Sequence, residues 1–68
     1  MNQLNLGERV KNLRLDRGLT LAQVGKGGSL STSTVSKIEN NRLSPTFDTL
    51  KSLALGLGVS VEQILSDG

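Results

Sequence analysis

An all-α fold of five short helices is what this chain predicts, and three observations carry the prediction. Asn, Thr and Ser of the N-cap type recur just ahead of apolar residues at helical spacing. Glycine or asparagine closes most of those runs, and no apolar-polar alternation is long enough for a strand. The 68 residues leave room for one small domain over positions 1–68, which buries only about 60 % of the surface its unfolded chain exposes.

Asn5-Leu6-Gly7-Glu8 has the spacing of a capping box, and Gly18 suits the left-handed position after a helix. The first helix is therefore expected from about Leu6 to Arg17. Thr20-Leu21-Ala22-Gln23 repeats the box and opens a short second helix, whose apolar face begins at Val24 and ends in Gly25, Gly27 and Gly28. Ser31 is a good N-cap for a third helix with Val35 and Ile38 as its inward i, i+3 pair, and Asn41 tolerates the left-handed backbone that stops it. Ser44-Pro45-Thr46 reads as a turn followed by a cap. Phe47, Leu50, Leu53, Ala54 and Leu57 then recur at helical spacing up to Gly58, the strongest periodic signal in the chain. Ser60-Val61-Glu62-Gln63 is a further capping box, with Val61, Ile64 and Leu65 forming a short stripe before the polar end Ser66-Asp67-Gly68. The expected core is Val10, Leu13, Leu19, Val24, Leu30, Val35, Ile38, Leu50, Leu53, Leu57, Val61 and Ile64, with Leu15, Leu21 and Leu55 off the stripes.

Composition removes whole classes of chemistry. There is no cysteine and no histidine, so disulfides, thiolate nucleophiles, finger-type zinc sites and imidazole bases are excluded, and no metal or cofactor is expected. Six acids without a histidine offer no evident nucleophile, base and orienting group, so the chain does not read as an enzyme. Phe47 is the only aromatic ring, which argues against single-strand binding by base stacking. The net charge is only +2, but Arg9, Lys11, Arg14, Arg17, Lys26, Lys37 and Arg42 precede residue 43, whereas Asp48, Glu62 and Asp67 follow it. A polyanion would meet the front of the chain. No apolar run reaches membrane-span length and no secretion signal opens the sequence, so a cytoplasmic protein without membrane contact is expected.

Residues 25–41, GKGGSLSTSTVSKIENN, are the most informative stretch. A small-residue turn precedes a helix whose inward pair leaves Ser31, Thr32, Ser33, Thr34, Ser36, Lys37 and Asn40 facing out, a compact polar rod that fits a B-DNA major groove. The competing reading is an irregular Ser/Thr-rich linker, which helix propensity alone favours; Val35 and Ile38 at core spacing tip the balance. Gly25 lies where the second and third helices cross and lets two backbones approach, and Gly27 and Gly28 loosen the turn so that the third helix leaves at a steep angle; the alternative is that the cluster marks a flexible loop. A phosphate-cradling loop lacks its preceding strand and its Gly-Lys-Ser/Thr ending.

LGERVKNLRLDRGLT, LAQVGKGGSLSTSTVSKIEN and SPTFDTLKSLALGLGVSVEQIL, taken in order, resemble the successive blocks of the phage repressor and Cro type (XRE family) of helix-turn-helix domain, from Leu6 to Leu65. The resemblance implies a five-helix lambda-repressor-like DNA-binding domain with the helix-turn-helix at about 21–40 and the turn near Ser29. Ser29 replaces the family's turn glycine, so the left-handed residue is expected at Gly28, or the turn is remodelled. Leu21 stands where many members place a polar phosphate contact, and Asn41 replaces a common glycine. By position in the motif, base edges fall to Ser31, Thr32, Ser33 and Lys37, with Ser36 beside them. Lys26, Asn40, Asn41, Arg42 and Ser44 fall where backbone phosphates are contacted. The family's ion pair between the first and third helices maps onto Arg14 and Glu39, to which a structural role is assigned.

What the resemblance implies is a sequence-specific regulator of transcription that binds double-stranded DNA as a homodimer, complete in itself or followed by a C-terminal sensory domain. The rival reading is an antitoxin or adaptor module that uses the same fold to bind protein, which Leu21 and the small net charge favour slightly.

Overall fold

The computed structural model describes residues 5–66, and over them the chain forms five helices and no strand. They are α1 (Leu6–Asp16), α2 (Leu21–Gly28), α3 (Thr32–Glu39), α4 (Phe47–Leu57) and α5 (Val61–Leu65). The polar end Asp67-Gly68 lies outside the described residues.

Each helix starts at the cap its sequence promised. Thr20 and Ser60 form full boxes: each hydroxyl accepts from the amide of Gln23 or Gln63, and the Gln side chain accepts from the cap's own amide. Asn5 Oδ1 accepts from the Glu8 amide at 2.9 Å, the forward half of such a box. Ser31 and Thr46 accept from Thr34 and Thr49 in the same way.

The helix ends share one device. After α1, α2, α3 and α4 a single residue takes a left-handed backbone, at Gly18, Ser29, Asn41 and Gly58. The amide that follows it then reaches back to the helix: Leu19 to Arg14 O, Leu30 to Gly25 O, Arg42 to Lys37 O and Val59 to Ala54 O. This satisfies carbonyls that a helix terminus leaves without partners. Ser29 itself carries the left-handed turn, with φ 60° and ψ 38°, so the shift to Gly28 does not occur.

The core is aliphatic. Val10, Val24, Val35, Ile38, Leu50, Leu53, Ala54, Leu57 and Ile64 are buried, and each Val, Leu or Ile so enclosed contributes about 1.5–3 kcal/mol. Leu13, Leu19, Leu30 and Val61, expected among them, are half-buried and pack on the rim of this cluster. Leu21 and Val59 join that rim too, so Leu21 points inward rather than lying off the apolar face. Leu15, Leu55 and Leu65 are exposed. Phe47 opens the α4 pattern yet is 63 % exposed, because it is the first helical residue and the first α4 side chain to be buried is Leu50, one turn on. Its ring instead lies beneath the Lys51 ammonium, 5.4 Å from the centroid.

Gly27 and Gly28 do not loosen the turn; both belong to α2 and press it against α4. A Cβ at Gly28 would overlap the Ser52 carbonyl, and one at Gly56 would overlap that of Val24. A Cβ at Gly27 would stand 3.1 Å from Gly56 Cα. Two helices thus meet backbone to backbone with no side chain between them. No helix among the described residues is long and apolar enough to cross a membrane.

The two backbone features have opposite consequences for stability. A non-glycine residue in the left-handed region costs about 1 kcal/mol. Ser29→Gly is therefore expected to raise the unfolding free energy by roughly that amount. Gly56→Ala is expected to lower it by about 2 kcal/mol, through overpacking against Val24. Thermal and urea unfolding followed by circular dichroism would read both.

Candidate nucleic-acid interface

The α3 helix is two-faced. Val35, Ile38 and Glu39 are buried, while Thr32, Ser33, Lys37 and Asn40 are exposed; Thr34 and Ser36 are half-buried at the boundary. Thr34 was expected outward, but its Oγ1 lies 2.8 Å from Ser31 Oγ, tucked beneath the cap. Ser31 keeps its expected exposure, yet its hydroxyl is engaged, accepting from the Thr34 amide at 3.0 Å. Asn40 folds back on its own helix, donating from Nδ2 to Ser36 O at 2.8 Å with Ser36 Oγ at 3.5 Å. Thr32, Ser33 and Lys37 therefore form the unengaged part of the face.

Gly25 sets how α3 leaves α2. A Cβ there would stand 2.6 Å from Leu30 O, so the backbone entering α3 lies directly over this position. At the other end, Gly7 brings the first turn of α1 against the last carbonyls of α3: a Cβ would stand 2.6 Å from both Ile38 O and Glu39 O, and 2.8 Å from Asn41 Oδ1. The capping-box spacing accounts for Asn5 and Glu8 and gives Gly7 no role of its own. A glycine in the first turn of a helix, where better helix formers are available, was the signal for this close approach.

Arg14 fastens the arrangement. Its Nε donates to Glu39 Oε2 at 2.7 Å and its Nη2 to Glu39 Oε1 at 3.1 Å, a two-pronged pair, while Nη1 donates to Leu19 O at 2.9 Å. The side chains are 12 % and 5 % exposed, so the pair is shielded and geometrically fixed. Arg9 is likewise architectural: its Nη1 donates to Leu65 O at 2.9 Å, joining α1 to the end of α5. This leaves Lys26 on the last turn of α2, Lys37 on α3 and Arg42 just beyond it as exposed cations of the α2–α3 unit, with Asn41 and Ser44 exposed beside them. At the start of α2 the capping box occupies the amides of Thr20 and Gln23, leaving those of Leu21 and Ala22 without an intrahelical acceptor. Among the described residues no cluster of acidic, cysteine or histidine side chains is placed to hold a metal.

The chain has counterparts among known proteins in both sequence and fold. The model of the helix-turn-helix family HTH_3 matches residues 10–64. The immunity repressor protein of Bacillus phage phi105 is 34 % identical over 64 residues, covering 94 % of this chain and 44 % of that protein. The chain spans less than half the length of the curated relatives it matches. The solution structure of the DNA-binding domain of the P22 C2 repressor aligns over 100 % of this chain and 88 % of its own, at 28 % identity and TM-score 0.88. The crystal structure of SinR, the master regulator for biofilm formation, in complex with DNA aligns over 91 % of this chain and 100 % of its own, at 28 % identity and TM-score 0.82.

Removing one partner of the Arg14–Glu39 pair leaves an uncompensated buried charge. Arg14→Met and Glu39→Leu are each expected to cost about 3 kcal/mol in urea unfolding. The double variant is expected to recover a large part of that loss, since neither charge is then stranded.

Proposed function

This chain belongs to the helix-turn-helix family, and we propose that it regulates transcription by binding double-stranded DNA, with α3 in the major groove. The observation that carries the proposal is the free outer face of α3: Thr32, Ser33 and Lys37 are exposed while the opposite face is locked into the core. In this reading Lys37, Thr32 and Ser33 address base edges, with Ser36 beside them and Ser31 acting chiefly as the cap that sets the helix start. Lys26, Asn41, Arg42 and Ser44 contact phosphates, which fix register without reading sequence. Asn40 meets the backbone with the part of its amide that Ser36 does not hold.

One small domain making a few phosphate contacts binds weakly at physiological salt, so two copies on half-sites one helical turn apart are proposed as the working unit. The proposal includes a further domain in the full regulator, in line with curated relatives of which this chain covers 44 % and 48 %. It places the protein in the cytoplasm with the DNA and gives it no catalytic role. The protein-binding alternative rests on Leu21, which leaves the start of α2 without a polar phosphate contact, and on the small net charge; the inward packing of Leu21 gives such a partner no apolar handle there.

Titration of fluorescent duplex DNA at several salt concentrations tests the proposal. Affinity is expected to fall steeply with salt, and a flat profile would favour the protein-binding module. Lys37→Ala is expected to change which duplexes are preferred, whereas Arg42→Ala weakens all of them alike and lowers the salt slope by about one. Equal effects from the two variants would refute this division of labour.

A further inference from the structure

We infer that sequence reading by hydrogen bonds from this chain is confined to one guanine in each half-site, contacted by Lys37 Nζ. This rests on α3 being the reading helix, and it follows from the chemistry left free on that helix. Ser31 Oγ is held by the Thr34 amide and hydroxyl, and the Asn40 amide is held by Ser36. The side chains that remain are Thr32 and Ser33 in the first turn, half-buried Ser36, and Lys37 in the last turn.

A hydroxyl both donates and accepts, so it meets any base edge on similar terms and separates bases poorly. It also ends one bond beyond Cβ. An ammonium only donates, and it sits at the end of a four-bond stem beyond Cβ. In the major groove guanine alone offers two adjacent acceptors, O6 and N7, while cytosine presents a donor and adenine pairs one acceptor with a donor. Lys37 therefore selects guanine. α3 presents no exposed carboxylate to accept from cytosine N4, and of the two amides nearby Asn40 is tied through Nδ2 to Ser36 while Asn41 stands in the left-handed turn beyond the helix. The Lys37 ammonium is exposed with no hydrogen-bond or ion-pair partner among the described residues, so its stem is free to reach the groove floor. The remaining discrimination falls to the Thr32 methyl against a thymine methyl, to bridging water and to DNA shape.

The test starts from the duplex preferred in a selection from random sequence and replaces each guanine in turn by 7-deazaguanine, which lacks N7, or by inosine, which keeps O6 and N7. Anisotropy titration of the 68-residue chain is expected to show one guanine per half-site at which 7-deazaguanine weakens binding about tenfold and inosine does not. Lys37→Met is expected to erase that sensitivity and Lys37→Arg to retain it, both with an unchanged thermal melt. Sensitivity that persists in Lys37→Met, or is spread evenly over several purines, overturns the inference while leaving α3 as the reading helix. Failure of every duplex to bind in a salt-dependent way overturns the proposed function itself, and the inference with it.

Discussion

The guanidinium of Arg14 fixes three parts of the chain at once: α1, from which it projects, the Leu19 carbonyl at the entry to α2, and the Glu39 carboxylate at the end of α3. A helix of eight residues is too short to hold its shape alone. What gives α3 a defined direction is that its inner face is buried at Val35 and Ile38 and its last turn is pinned by this pair. The charge on Glu39 would be costly at 7 % exposure without a partner, so the pair and the burial of α3 depend on each other.

The rest of the scaffold works by closeness rather than charge. Gly25, Gly28 and Gly56 let backbones touch where a methyl group would not fit, and Gly7 does the same between α1 and the end of α3. These contacts set the height of α3 above its support. Left-handed residues then turn the chain sharply between helices, so that the connections stay short and few backbone groups are left without partners. In a chain without cysteine and with its one aromatic ring exposed, such contacts stand in for the bulk that a larger core provides.

Most of this architecture was legible in the residues because its signals are local. Caps at Asn5, Thr20, Ser31, Thr46 and Ser60 mark where helices begin, since a side-chain oxygen three residues from a waiting amide has little else to do. Stops at Gly18, Asn41 and Gly58 are equally local. What stayed hidden depends on residues far apart in sequence. Nothing in Gly27-Gly28 says that Ser52 and Gly56 lie opposite, so the pair read as a loose turn instead of a helix contact. Ser29 was misjudged because its own propensity disfavours a conformation that the surrounding helices impose. Of the proposed reading face, the outward orientation of Thr32, Ser33 and Lys37 was visible from spacing. The internal engagement of Ser31 and Asn40 required coordinates, because a hydroxyl or amide offers the same chemistry to its own backbone as to a ligand.

Thr32, Ser33 and Lys37 are exposed and take part in none of the caps, the pair or the core that hold the fold. Variation there is consequently cheap. Substitutions at these positions can be sampled one at a time without crossing a folding threshold, as changes at Gly7, Arg14 or Glu39 would. In the proposed function, separating the surface that recognises from the scaffold that supports it allows binding preference to drift across a lineage while the architecture is retained.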